Sequence, residues 1–396
     1  MMSAPPAPAQ PPPPAARETT ATPRTSSTSS DVAAAKPTSV AAPRKQTRKP
    51  KPSRTKASAK RSTTFWRSFK YLLDLTPKQV DDFMASYVIY NLDWADEVGM
   101  RATLGETYAE KVGDCLRAYY GVLNHLCALG EVEKMYIPPL MDPGNLSVTE
   151  NQLLYEESIA NDLGLKKGDC VLDLGCGRGR VAAHVAQVSE ARVTGLNIDP
   201  DQVQQAREFD EERGIGNEFV VRDMNALPLP FEDSSMDGFY EIQALSLCRD
   251  IPALFAEIHR ILRPGARLSL LDWVRLPAYD PSNEKHAELM RRTKPLIGAV
   301  GTPSPKELEA ALRKAGFVVE RSDNASVGGL QAPLIEEADG WFRGLRKVVG
   351  GLVRCRVLPA HLKTLVDRLC LDGQAFVEMD RGGLVSTSWR IVARRA

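Results

Sequence analysis

From Cys170 onward the chain alternates between two periodicities. Cys170-Val171-Leu172-Asp173-Leu174 is a short apolar run suited to a buried strand, and Val181, Val185 and Val188 follow at helical spacing. The pattern recurs: a strand at Arg192-Val193-Thr194-Gly195-Leu196 with a helix over 203–213, then strands at Phe219-Val220-Val221 and Gly238-Phe239-Tyr240. A helix over 251–262 is closed by Pro264-Gly265, and a fifth strand covers 267–273. Strands alternating with helices predict an α/β fold built on a doubly wound, mostly parallel sheet, Rossmann-like in outline.

The flanks read differently. Phe65, Trp66, Phe69, Leu72 and Leu73 keep helical spacing, and Thr76-Pro77 caps a second helix through Val80, Phe83, Met84, Val88 and Leu92. Residues 106–130 and 148–163 are predicted helical, with a loop marked by Pro138, Pro139, Pro143 and Gly144 between them. Residues 280–350 read as mostly helical. Ala375-Phe376-Val377-Glu378 and the stretch 387–392 read as a closing two-stranded hairpin. The predicted divisions are a tail over 1–63, a helical N-terminal region over 64–150, the α/β core over 151–279 and a small α+β C-terminal region over 280–396.

Charge changes the picture at the N-terminus. The chain has 396 residues and a net charge of +1, yet residues 1–63 carry twelve Lys and Arg against Glu18 and Asp31 alone, leaving the rest acidic. That first segment holds 12 of the 28 prolines and no aromatic residue, so it cannot bury enough apolar surface to offset chain entropy and is expected to be disordered. Three readings stand for it: a solvated tail, an organelle-targeting leader, and a tether to an anionic surface through residues 44–61. The aromatic helix after it either packs on the domain or makes peripheral membrane contact. No apolar run is long enough to cross a bilayer. Seven scattered cysteines without CxxC pairs argue against a disulfide scaffold or zinc ribbon, and His184 and Cys248 are too isolated for a metal site.

The chemistry-bearing motif follows the first strand: Asp173-Leu174-Gly175-Cys176-Gly177-Arg178-Gly179-Arg180. Its spacing is G-x-G-x-G, not the dinucleotide G-x-G-x-x-G. An acid at the carboxyl end of a strand accepts from an ammonium, and a helix N-terminus prefers an anion. Together they suit a zwitterionic amino-acid tail, as in S-adenosylmethionine. Cys176 reads as a small space-filler.

Residues 171–179 resemble the first motif of class I S-adenosylmethionine-dependent methyltransferases. That resemblance implies a methyltransferase of Rossmann-like fold. It assigns cofactor contacts to Asp173, Gly175, Cys176, Gly177 and Gly179, to Asn197, Asp199 and Gln202 after the second strand, and to Asp223 and Met224 after the third. Asp199-Pro200 also reads as a helix cap.

Within the class, the chain is similar to sterol 24-C-methyltransferases. The matching residues are Val193-Thr194-Gly195-Leu196-Asn197-Ile198 with Gln202-Val203, Glu257 to Gly265, Asp272-Trp273-Val274, and Tyr279 to Asn283 with His286. The resemblance runs from about residue 115 to the end. It implies a sterol or other isoprenoid lipid as methyl acceptor. A small amine, thioether, phenol or carboxylate is the alternative.

The departures are chemical. The family's tyrosine-rich segment survives only as Tyr119-Tyr120, with Tyr136 further on. Its Ile-Glu-Ala-Thr-x-His pattern becomes Ile242-Gln243-Ala244-Leu245-Ser246-Leu247. Gln243 neither neutralises a cation nor acts as a base. Glu241, beside it, is expected on the opposite strand face and so not to substitute. Candidate catalytic residues are Tyr120, His125, Tyr240, Glu241 and Gln243, with Tyr119, Tyr136 and Asp272 as further acceptor-side groups. The implied partner is a small-molecule or lipid acceptor. No nucleic acid is expected, since the folded part is acidic and lacks an Asn-Pro-Pro-Tyr-type motif. A cytoplasmic or endomembrane-peripheral location follows as an expectation.

Overall fold

A computed structural model describes residues 65–130 and 132–396. The expectations for the tail lie outside the described residues. A seven-stranded sheet runs in the order β3-β2-β1-β4-β5-β7-β6. Its strands are β1 (Cys170–Leu174), β2 (Arg192–Asn197), β3 (Glu218–Val221), β4 (Met236–Ile242), β5 (Leu262–Arg275), β6 (Phe317–Asn324) and β7 (Val385–Arg395). β1 to β5 are mutually parallel; β7 is antiparallel to both β5 and β6. The fold is the expected α/β, Rossmann-like one with a helical N-terminal region. The central strands are apolar on both faces because helices cover both: Val171, Leu172, Leu174, Phe239 and Leu268 are buried.

Two details at the C-terminal edge depart from the sequence reading. Ala375-Phe376-Val377-Glu378 is not a strand but part of the Gly373–Arg381 helix, which buries Ala375, Phe376 and Met379 and leaves Glu378 exposed. A four-residue apolar run carries no period of its own, so it cannot separate the two states. The predicted hairpin therefore does not form. β7 is instead inserted between β5 and β6, and β6 itself was unexpected inside a stretch read as helical.

The helical regions from the two ends of the described chain share one core. Leu72, Phe83, Tyr90, Tyr119 and Leu126 pack in one cluster with Leu362, Leu365 and Val366. The Pro77–Ser86 helix opens on the expected Thr76 cap, whose hydroxyl accepts from Gln79 N while the Gln79 side chain returns to Thr76 N. Phe65 and Phe69 of the helix over 65–73 lie against this core, and Trp66 faces outward, 62% exposed.

Candidate functional site

In a doubly wound sheet, ligands bind outside the carboxyl ends of the strands where the strand order reverses, here between β1 and β4. The chain leaves β1 through Gly175, Gly177 and Gly179, all at left-handed φ (81°, 52° and 71°). Gly175 N and Cys176 N donate to Leu196 O at 2.8 and 3.1 Å, which ties the turn to β2. Side chains are excluded by space as well as by φ. A Cβ on Gly175 would sit 2.8 Å from the Ala244 methyl, and one on Gly179 would meet Phe219 at 2.8 Å and Ala206 at 2.9 Å. Cys176 is buried, and burial pushes its thiol pKa well up, consistent with a space-filler.

Asp173, the penultimate residue of β1, is almost fully buried. Tyr240 of β4 donates its hydroxyl to Asp173 Oδ2 at 2.9 Å. Burial raises the carboxyl to about 7, against the lowering effect of the Tyr240 bond. A small hollow of about 60 Å³ opens beside it, lined by Asp173, Gly175, Gly177, Lys134, Arg178 and Arg180. Arg178 is buried and donates to Glu133 O, while Arg180 Nε has no hydrogen-bond partner, with Glu133 Oε2 3.8 Å away. A buried acid with no ion-pair partner among the described residues, beside one buried and one half-buried guanidinium group, matches a zwitterion.

The hollow shares Met135, Gly175, Gly177, Gln202 and Ile242 with a larger cleft of about 230 Å³. Asn197, Asp199, Gln202, Asp223 and Met224 all line this cleft. Asp199 also caps the Pro200–Glu211 helix: Oδ1 accepts from Asp201 N and Gln202 N, and Oδ2 from Gln202 Nε2 at 3.0 Å. Asp223 Oδ1 accepts from Asn225 N at 2.8 Å. Its lining also includes the apolar or aromatic side chains of Trp94, Val112, Leu116, Tyr120, Met135 and Leu247, with Glu110, Arg222 and Arg249 among them.

The five candidate catalytic residues separate. Tyr120 and Gln243 line the cleft. Burial, with Asp272 nearby, pushes the Tyr120 phenol up to about 12, so it stays protonated. Gln243 sits at φ 53° just past β4, and its amide is spent on backbone: Oε1 accepts from Ile137 N at 3.0 Å, and Nε2 donates to Ile137 O at 2.7 Å and Thr387 O at 2.8 Å. Tyr240 touches Asp173 rather than the apolar wall.

Glu241 needs a correction. It is two residues from Gln243, so strand alternation assigns both to one face; the left-handed turn at Gln243, not alternation, sends the side chains apart. Glu241 lies under the 243–247 turn, where Oε2 accepts from Ala244 N at 3.0 Å and Oε1 has no partner. Burial and the neighbouring Asp272 push its carboxyl well above the usual range, and burial holds Asp272 at about 6. Asp272 Oδ2 accepts from Leu245 N at 2.7 Å. The pair thus braces the turn from below.

His125 is also corrected. It stacks on Tyr71 with ring centroids 3.9 Å apart, its Nδ1 is 3.2 Å from Ser68 Oγ, and it does not line the cleft. Burial lowers its pKa to about 4, so it is a neutral, structural imidazole. His184 likewise belongs to a buried cluster in which Glu156 binds Lys134, Tyr136 and His184. Among the described residues no group of His, Cys, Asp and Glu could hold a metal ion.

Sequence reasoning missed Trp94. Its indole donates to Ser246 O at 3.1 Å, and Gly301 N donates to the same oxygen at 2.7 Å. Trp94 lies in a polar loop 152 residues from its partner, and no local pattern marks it.

A Rossmann-like sheet with this acid, glycine turn and cleft is suited to a nucleotide-type cofactor with an amino-acid tail. Residues 172–270 match the family described as "Methyltransferase domain". The chain is 29% identical to the Methyltransferase phqN of Penicillium fellutanum, over 69% of this chain and 87% of that one. It is 28% identical to a Sterol 24-C-methyltransferase of Pneumocystis carinii, over 62% of each chain. It is 29% identical to 24-methylenesterol C-methyltransferase 2 of Arabidopsis thaliana, over 55% of this chain and 60% of that one. The chain therefore spans about three-fifths of the length of these two sterol methyltransferases. Among solved structures, a putative sarcosine dimethylglycine methyltransferase from Galdieria sulphuraria superposes with TM-score 0.52 at 19% identity, over 69% of this chain and 97% of that one. The cyclopropane synthase MmaA2 from Mycobacterium tuberculosis also gives 0.52, at 17% identity, over 65% and 88%. These two likenesses show the fold. Residues 172–270 are thus a methyltransferase domain, and the chain resembles class I S-adenosylmethionine-dependent methyltransferases, the sterol methyltransferase family among them.

Proposed function

We propose that the protein transfers the methyl group of S-adenosylmethionine to a sterol or other isoprenoid lipid. One observation carries this reading: a hollow with a buried acid and adjoining guanidinium groups shares its lining at Met135, Gly175, Gly177, Gln202 and Ile242 with a cleft whose apolar lining includes Trp94, Leu116, Tyr120 and Leu247. In this assignment Asp173 takes the cofactor ammonium and Arg178 and Arg180 face its carboxylate. The backbone of Gly175, Cys176, Gly177 and Gly179 approaches the methionine end. Asn197, Asp199 and Gln202 serve the ribose side, and Asp223 and Met224 the adenine. When bound, the cofactor supplies a sulfonium methyl displaced in line with loss of a neutral sulfide. The protein's own work is then alignment and exclusion of water. Trp94, Leu116, Met135 and Leu247 supply the dry wall, and the Tyr120 phenol offers a donor and an aromatic face to the acceptor. A location at an endomembrane surface fits an apolar acceptor.

A second reading has its own support. The Gln243 amide is consumed by Ile137 and Thr387, and Glu241 is turned away from the cleft. An acceptor that gives up no proton, such as a tertiary amine or thioether, requires no base there. The deciding experiment incubates the full chain with methyl-labelled S-adenosylmethionine and a panel of sterols, polyprenoids, amines and thioethers. Label in a sterol or polyprenoid supports the first reading; label confined to amines or thioethers replaces it with the second.

A further inference from the structure

The described surface is not evenly mixed. Trp341, Val348, Leu352, Val357 and Leu371 are large apolar side chains left exposed, at 47%, 60%, 37%, 66% and 45%, and all fall within 31 residues. The same residues, 341–371, carry seven Lys and Arg against the single acid Asp367, in a chain whose net charge is +1. They form the second half of the Ala332–Arg354 helix, a turn, and the Ala360–Leu369 helix.

The pattern on the long helix is directional. Trp341, Val348 and Leu352 stand at i, i+7 and i+11, which at about 100° per residue returns them to within about 20° of one line. Leu345, Val349 and Val353 point into the helical core instead. Lys347 and Arg354 lie about 120–140° round from the exposed stripe by the same spacing. Gly340, Gly344 and Gly351 occupy the arc between, where no side chain keeps a flat surface away. Arg343 pairs with Asp339, Arg346 and Lys363 with Asp367, and Arg368 lies over the Tyr87 ring. Lys347, Arg354 and Arg356 are exposed and carry no ion pair or side-chain hydrogen bond among the described residues.

We propose that this helical hairpin, residues 341–371, seats the protein on an anionic lipid surface, with Trp341, Val348 and Leu352 entering the interface and Lys347, Arg354 and Arg356 meeting the headgroups. Charge complementarity selects that occupant. A nucleic acid would use the cations and leave the apolar stripe in water. An apolar protein partner would cover the stripe and leave three cations unpaired. An interfacial helix on acidic lipid uses both sets at once. No helix of the described residues is long and apolar enough to cross a membrane, so the contact is peripheral. The inference holds whichever acceptor is methylated.

The test uses the full chain with phosphatidylcholine vesicles, with and without phosphatidylserine, carrying brominated acyl chains that quench tryptophan. The parent should bind the acidic vesicles and lose part of its tryptophan emission. W341F should lose the Trp341 share of that quenching while still binding. The triple variant K347E/R354E/R356E should bind on the order of 100-fold more weakly, at about a tenfold loss or less per cation. All four side chains are exposed, so thermal midpoint and cofactor affinity should match the parent. Equal quenching in parent and W341F, undiminished affinity in the triple variant, or equal binding to purely neutral vesicles would each overturn the proposal. So would a triple variant that loses only binding to single-stranded DNA.

Discussion

Asp173 and Tyr240 are register partners across β1 and β4, and the Tyr240 phenol donates to Asp173 Oδ2 at 2.9 Å. The bond favours the carboxylate, yet burial outweighs it and leaves the carboxyl near 7. A raised carboxyl pKa means that the ligand-free fold prefers Asp173 protonated. Its contribution to stability is present below the ordinary 3.8 and is lost as pH rises through about 7. A cofactor ammonium offsets that loss by pairing with the ionised form.

The first prediction concerns cofactor affinity. Below about pH 7 the cofactor must displace a proton from Asp173, so its affinity should rise about tenfold per pH unit from 5 towards 7 and then flatten. Calorimetry in buffers of different ionisation enthalpy would count the released proton. Y240F removes the bond that favours the carboxylate and should move the midpoint upward. D173N should bind weakly with no slope; a D173N slope equal to the parent's would remove Asp173 from the site.

The motif from Asp173 to Gly179 was readable because its demands are local. A buried strand must end, the backbone must turn through positive φ, and glycine is the residue that allows it. Asn197, Asp199 and Asp223 were readable for a related reason, since each follows a parallel strand and so arrives at the same edge of the sheet. Residues whose position depends on distant segments were not. His125 sits on a helix whose cleft-facing side is fixed by packing against the helix over 65–73, and Trp94 is placed by a carbonyl 152 residues away. The Glu241 error was one of counting along the strand. The turn that separates it from Gln243 depends on contacts from Ile137 and Thr387, which no local pattern announces.

The second prediction follows from the close packing of the glycine turn. Gly179→Ala would force a left-handed φ on an L side chain and drive its Cβ against Phe219 and Ala206. Overpacking and positive φ together should cost about 2 kcal/mol or more. Urea unfolding of the variant would measure it, and a loss under about 0.5 kcal/mol would contradict the packing argument.

The third prediction concerns the Glu241–Asp272 pair. Both carboxyls are raised, so the folded state holds protons there that the unfolded chain has released by neutral pH. Their contribution to stability is therefore fully present below the ordinary 3.8 of the Asp272 carboxyl and falls as pH climbs through about 6 and above. Glu241→Gln keeps an acceptor for Ala244 N and removes one of the two like charges. Its melting temperature should match the parent near pH 4 and exceed it at pH 8. A variant less stable than the parent at pH 8 would show that the pair is held by attraction to a cation, not by burial.

The fourth prediction tests whether the family's missing acid can be restored at Gln243. Gln243→Glu returns the carboxylate that the sterol enzymes carry at this point of their motif, but a carboxylate cannot donate to Ile137 O or Thr387 O. The buried Thr387 O would lose its partner, Ile137 O would keep only the longer bond from Gln331 Nε2 at 3.5 Å, and of the amide's own bonds that from Ile137 N alone would survive. At about 1–3 kcal/mol for an unsatisfied buried group, the variant should be destabilised by at least ~1 kcal/mol. It should gain no transfer activity towards a sterol, because the surviving bond from Ile137 N still ties the side chain to that backbone segment. Denaturant titration with the labelled-donor assay on one preparation decides the matter. A variant as stable as the parent and faster on a sterol would mean that the amide's three bonds are dispensable and that this position belongs to the reacting wall.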